Sequence, residues 1–226
     1  MTIDFTAAPH DPAVPTRERL FSVAPVTLAL VLLVIAVHLV RLFVLSDVQD
    51  LDLVMSLSFI PAKLLLTGTT SFEPWINLLS YALLHFGWMH LIVNVTGLLA
   101  FGTALERFLG WRVYLGILLT GIIAGALFHF IFFSSDSVIL GGISAGLSAL
   151  FAVILGCLQR ASWRVLLPGI IAWLAINLLT GLMGVPGQPG LAMAWLAHMG
   201  GFFAGLAFLP FLFPAYRSSF SKGAGQ

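Results

Sequence analysis

The sequence predicts an all-α membrane protein: six transmembrane helices, with a partly embedded outer loop between the first and second spans. Three observations carry that expectation. Hydrophobic residues make up 60% of the chain and charged residues only 8%, whereas a soluble domain carries about 25% charged residues. Several apolar runs are long enough to cross the roughly 30 Å hydrocarbon core of a bilayer. The cations are also segregated. With six spans, Arg17, Arg19, Arg107, Arg112, Arg160, Arg164, Arg217 and Lys222 fall on one side, and only Arg41 and Lys63 lie toward the other. The positive-inside bias then puts both termini in the cytoplasm.

Taken in order, the spans cover about 24–45, 78–103, 112–133, 138–157, 163–183 and 191–213. The first follows Arg17 and Arg19 as a signal peptide would. Its apolar core is too long, however, and no small-residue cleavage site precedes Asp47, so it is expected to remain as a span. Residues 1–23 and 214–226 read as flexible cytoplasmic tails flanking a membrane domain of residues 24–213. The connection over 46–77 opens with Asp47, Asp50 and Asp52. Its apolar part, LVMSLSFIPAKLLL, is too short to span and is expected as an interfacial or partly embedded helix on the outer side. The uncharged loop MGVPGQPG before the last span suits a mobile cover. A single cysteine, Cys157, permits no intrachain disulfide and no thiolate metal site. A net charge of +1 without any basic run argues against a nucleic-acid partner.

In hydrocarbon a polar side chain is costly, so each one is a functional candidate. Ser144 and Ser148 stand in the fourth span, His198 in the sixth, and His85, His90 and Asn94 in the second; His38, His129 and Asn177 look isolated. At 1.5 Å per residue, Ser144 lies ~9 Å and His198 ~10 Å below the outer ends of their spans, in one layer. His90 and Asn94 share a helix face at i, i+4 spacing. Small residues prepare the spans for close approach: Gly141, Gly142, Ala145, Gly146, Ala149 and Ala152 in the fourth, and Ala197, Gly201 and Gly205 in the sixth. Gly146 is expected on the face that meets the sixth span. A serine hydroxyl reaches so little beyond its backbone that a Ser–His bond needs such packing. Against function stand plainer readings. A membrane serine commonly bonds back to its own helix, the expectation for Ser148, and a lone histidine such as His38 or His129 is commonly a satisfied or interfacial group.

Gly142 to Gly146 also matches G-x-S-x-G, the elbow of soluble serine hydrolases. That elbow requires a strand, a turn and a helix, followed by an acid and a histidine. Here the segment reads as the interior of an apolar helix, and no Asp or Glu follows Asp136. The expectation is therefore a Ser–His dyad without a carboxylate.

Several stretches resemble one family. HFGWMHLIVN (His85–Asn94) is similar to H-x4-H-x3-N, and GLLAFGTALERFLG to L-x2-F-G-x2-L-E-x3-G. GISA (Gly142–Ala145) is similar to G-x-S-G, AHMGGFFAGLAF (Ala197–Phe208) to A-H-x-x-G-x3-G, and FIPAKL to F-x-P-A-R/K. In this order, over about residues 55–208, they resemble the rhomboid intramembrane serine proteases of the bacterial six-span type. The resemblance implies a rhomboid-like bundle in an inner (plasma) membrane, with the active site opening to the outer side. It implies Ser144 as nucleophile and His198 as general base and later acid. It implies an oxyanion hole from the Ser144 N–H, His90 and Asn94. His85, Glu106, Gly142, Gly201 and Gly205 would be structural supports, Glu106 anchoring the second span and neighbouring loops. No cofactor or metal is implied. The implied partners are membrane lipid and transmembrane protein substrates entering laterally past the second and fifth spans. Such substrates would carry small residues at the cut and helix-destabilising residues nearby, since a helix exposes no carbonyl until it unwinds.

The chain departs from the family pattern at Ala145, which stands for a glycine, and at Ile76-Asn77, where a Trp-Arg pair is common. Ser148 occupies a position where many members place an aromatic ring against the histidine, which leaves the orientation of His198 to other neighbours. Two other functions compete. One is a non-catalytic rhomboid-like protein that binds transmembrane segments, against which the retained Ser and His stand. The other is a small transporter or channel lined by His85, His90 and Asn94. Against it stand the lack of an inverted repeat and of an acidic residue within a span.

Overall fold

The first helix shows how the sequence divides lipid from core. In a computed structural model of the chain, which describes residues 22–67, 71–159, 163–183 and 195–212, α1 (Pro25–Phe43) opens on a proline in its first turn. The missing N–H there would have had no helical partner. Thr27, Val31, Val34 and His38 recur at helical spacing and are buried, while Leu28, Leu32, Leu33 and Leu39 remain exposed in the manner of lipid-facing side chains.

The outer connection is not one interfacial helix. It divides into α2 (Asp47–Leu57), α3 (Pro61–Thr67) and α4 (Glu73–Ser80). Ser46 and Gln49 form a capping box that starts α2. Pro61 disfavours helix at the residue before it and begins the next one. Phe59, between the two, turns inward and is fully buried. Leu51, Met55, Leu65 and Leu66 stay exposed on these short helices.

The second spanning helix runs from Trp88 to Leu109 rather than from about 78. Residues 81–83 form a short 3-10 turn and Gly87 takes φ 98°, which stops α4 from running on. The helix consists of α5 (Trp88–Gly97), one π turn (Leu98–Gly102) and α6 (Thr103–Leu109). Then follow α7 (Trp111–Phe132), α8 (Ser144–Gln159), α9 (Trp163–Met183) and α10 (Trp195–Leu212). By length and composition, Pro25–Phe43, Trp88–Leu109, Trp111–Phe132 and Trp195–Leu212 can each cross a membrane, whereas Ser144–Cys157 and Leu167–Leu179 are shorter apolar stretches. The described residues are mostly helical, and the pairing of Phe59 with Leu140 is an isolated bridge. The chain is thus an all-α integral membrane protein. Residues 1–21 of the expected N-terminal tail, the expected C-terminal tail over 214–226, and Gly184–Gly190 of the expected cover loop lie outside the described residues.

The centre of the bundle is α8, enclosed by α7 and α10. An added Cβ on Gly201 would lie 2.0 Å from the Ala145 carbonyl oxygen, and one on Gly205 would lie 2.3 Å from that of Ala149. The small-residue ladder of the sixth span therefore rests directly on the fourth. Gly146 departs from expectation: its α-carbon faces Leu118 and Ile122 of α7, and what α10 meets is the backbone of Ala145 and Ala149, whose methyl groups lie against Gly125 and Gly121 of α7. At 3.6 residues per turn four residues turn the helix by about 400°, so positions 145 and 149 lie within ~40° of each other, while 146 stands ~100° from 145 and ~60° from 149.

Candidate active site

Ser144 reaches its place from an extended approach, not from inside a helix. The Leu140 N–H donates to the Phe59 carbonyl at 2.9 Å, and the Gly142 N–H donates to the Tyr81 carbonyl at 3.0 Å. Tyr81 in turn donates its hydroxyl to Ile122 O at 2.7 Å. The approach is thus tied to the outer connection on one side and to α7 on the other. Gly142 has φ 107°, a conformation that favours glycine, and α8 begins two residues later at Ser144. The expectation of a helix from 138 is corrected: the positive φ at Gly142 and the pairing of residues 59 and 140 hold that stretch extended. A helix of 16 residues is ~24 Å long, shorter than the roughly 30 Å core. Ser144 can therefore lie at a helix end and still sit below the membrane surface. The first N–H groups of any helix lack a helical acceptor and carry the positive end of its dipole. The Ser144 N–H is one of these.

The Ser144 Oγ lies 2.7 Å from His198 Nε2 of α10, and neither residue is fully buried. On the far side of the ring, Nδ1 lies 2.8 Å from Asn177 Oδ1 of α9. The Asn177 amide is itself oriented, because its Nδ2 donates to Trp173 O at 2.9 Å. Oδ1 therefore faces His198 and accepts the Nδ1–H, which leaves the Nε2 lone pair to accept from the Ser144 hydroxyl. Ser148 bonds back to its own helix as expected, donating to Ser144 O at 2.9 Å.

His90 lies close to Ser144 as well. Its Nδ1 accepts from the Phe86 N–H at 3.3 Å, so in the neutral ring Nε2 carries the proton. A Cβ on Gly142 would lie 2.6 Å from His90 Nε2 and 3.7 Å from Ser144 Oγ. The imidazole donor and the serine oxygen thus flank one α-carbon. Asn94 is buried on the same helix and donates to His90 O at 2.9 Å. Among the described residues it makes no hydrogen bond to Ser144; its visible contribution is to brace the turn that carries His90.

The supporting residues separate by what they hold. The His85 carbonyl accepts from Arg41 Nη1 at 3.0 Å and from His38 Nδ1 at 3.2 Å, and its buried ring lies 5.1 Å from that of His90. His38 is therefore part of this support. Glu106 accepts from the Val26 N–H at 3.0 Å, from the Thr27 N–H at 2.7 Å and from the Thr27 hydroxyl at 2.8 Å. It ties the second spanning helix to the start of α1, where a carboxylate suits the helix dipole. His129 lies 3.7 Å from the Asp136 carboxylate, in the last turn of α7. Among the described residues, no three His, Cys, Asp or Glu side chains converge to hold a metal ion.

Asn177 is the residue that inspection of the sequence set aside as isolated. A signal for it existed. It lies ~9 Å from the outer end of the fifth span on the same residue count that places Ser144 and His198, so the three share a layer.

A comparison with curated proteins finds no match. The family model described as the Rhomboid domain matches residues 73–215, well over half of the 226 residues. That interval contains Ser144, His198, Asn177, His90, Asn94, His85 and Glu106. By the extent of that match, the chain is a member of the rhomboid family.

Proposed function

We propose that this rhomboid is an active intramembrane serine protease that hydrolyses peptide bonds in or near transmembrane segments of other membrane proteins. The single observation that carries the reading is the 2.7 Å approach of Ser144 Oγ to His198 Nε2. It is within hydrogen-bond reach for a nucleophile and its base. His198 takes the hydroxyl proton as Ser144 Oγ attacks the carbonyl carbon of an unwound substrate segment. The oxyanion that forms is met by the Ser144 N–H at the start of α8 and by the Nε2–H of His90, with Asn94 bracing the latter. His198 then gives its proton to the departing amine. A water, deprotonated by the same ring, hydrolyses the acyl-enzyme and restores Ser144.

Substrates approach laterally from the lipid, past α5 and α9, and the site opens to the side opposite the two termini. The cut falls where small residues let the segment sit against Gly142 and where helix-destabilising residues let it unwind.

The test is cleavage of a panel of transmembrane reporters by the purified protein in proteoliposomes, with products identified by mass spectrometry. Wild-type protein is expected to cut at defined sites and Ser144→Ala to cut none. Equal cleavage by both would reject the assignment. If neither cuts and the folded protein still binds the reporters, the non-catalytic reading holds instead.

A further inference from the structure

The third side chain of the site has a role of its own. We propose that Asn177 is a positioning residue that fixes the tautomer and direction of His198, so that Ser144, His198 and Asn177 act as a triad whose third member is an amide. The inference rests on the reading of Ser144 and His198 as nucleophile and base.

A neutral imidazole has two tautomers, and only the one with a bare Nε2 can accept the Ser144 proton. In this molecule the choice is made two bonds away. The Trp173 carbonyl accepts from the Asn177 amide N–H at 2.9 Å. Rotating the amide by half a turn would set Oδ1 against that carbonyl oxygen, two acceptors facing each other. Oδ1 is therefore directed at His198 Nδ1, 2.8 Å away, and Nδ1 must carry the proton. An asparagine that served only its own helix would need the Trp173 bond alone.

The register that aligns these atoms is locked one turn further along. Trp173, four residues before Asn177, stacks on Phe202, four residues after His198, with ring centroids 4.2 Å apart and planes at 15°. The antiparallel α9 and α10 thus share two rungs, Asn177 with His198 and Trp173 with Phe202. Phe202 is fully buried in a cluster with Ala152 and Leu155 of α8, so the lower rung is held by the helix that carries Ser144. From the α8 side Ser148 gives the ring no hydrogen bond, its hydroxyl being directed at Ser144 O.

The test uses the full chain in detergent micelles with 15N-labelled histidine. The His198 signals are assigned by their loss in His198→Gln. Wild type is expected to show a protonated Nδ1 and a bare Nε2. In Asn177→Leu, which removes the acceptor at similar volume, the ring is expected to populate the other tautomer. Cleavage of a transmembrane reporter is expected to fall about 10- to 100-fold in kcat, part of the 10²–10⁴ that a general base contributes, with KM changed by less than about threefold. Asn177→Asp keeps an acceptor oxygen toward Nδ1 and, as the neutral acid, donates from its second oxygen to the Trp173 carbonyl; it is expected to recover part of that loss, which a purely structural role would not require. Asn177→Ala is the second acceptor-free variant should the leucine variant not fold. An unchanged tautomer, or an unchanged kcat in an acceptor-free variant, overturns the proposal. Failure of wild type to cleave overturns the protease reading instead, and the tautomer comparison then still decides the role of Asn177.

Discussion

The α-carbon of Gly142 faces the edge of the His90 ring so closely that a Cβ would lie 2.6 Å from Nε2. Gly142 also has φ 107°, where an L side chain is strained whatever the space. Gly142→Ala should therefore displace His90 from its place beside Ser144, where the proposed mechanism puts the oxyanion. Removal of one such donor costs roughly 10²–10³ in rate. The expected result is a loss of that size in kcat, with helical content by circular dichroism unchanged.

Gly201 sets the distance between the helices that bring Ser144 and His198 together. With an added Cβ only 2.0 Å from the Ala145 carbonyl oxygen, the backbone of α10 must move away from α8 to admit any side chain. Overpacking of this kind costs about 1–3 kcal/mol. Because Ser144 adjoins Ala145 and His198 lies one turn from Gly201, the move also opens the Ser–His contact. Gly201→Ala should lower both thermal stability and kcat, and Gly201→Val should lower them further. Unfolding followed by intrinsic fluorescence, alongside reporter cleavage, checks both.

Glu106 predicts a loss of a different kind. It accepts two backbone N–H groups and one hydroxyl at the start of α1 and is itself buried. Glu106→Ala strands these donors, at about 1–3 kcal/mol for each buried group left unsatisfied. Glu106→Gln keeps an acceptor oxygen and should cost less. The melting temperature should fall in the order wild type, Gln, Ala, while kcat at a temperature where all are folded stays within about threefold, because the carboxylate does not touch Ser144 or His198.

Arg41 joins the outer connection to the segment before α5. It forms a two-point ion pair with Asp50, at 2.6 and 3.1 Å, and donates to the His85 carbonyl at 3.0 Å. A lysine cannot reproduce that fork. Arg41→Lys and Asp50→Asn should each destabilise the protein, and the double variant should lose less than the sum of the two. A double-mutant cycle on denaturant unfolding should return a coupling of about 0.5–3 kcal/mol.

Much of this site was legible before any coordinates, and the rest was hidden for physical reasons. Ser144 and His198 could be paired by depth, since residue counting in apolar helices is nearly a ruler. The Gly201 and Gly205 ladder could be read as close packing from its spacing alone. The break before Ser144 could not, because an uninterrupted apolar run does not distinguish helix from extended chain. What decides it, Phe59 against Leu140 and Gly142 against Tyr81, joins residues far apart in sequence. The neighbour of Gly146 is not legible, because small residues on both faces of α8 look alike in a sequence. Asn177 is obscure for a related reason: a lone amide in a span reads as local until its depth is set beside that of the serine and histidine.

The most direct test of the pairing of Ser144 with His198 is labelling of the folded protein by a serine-directed fluorophosphonate, with the modified residue located by mass spectrometry. The expected result is a single adduct on Ser144 in wild type, with the labelling lost in His198→Ala. The absence of an adduct on Ser144 in folded wild-type protein, or labelling that proceeds equally well without His198, would contradict the account.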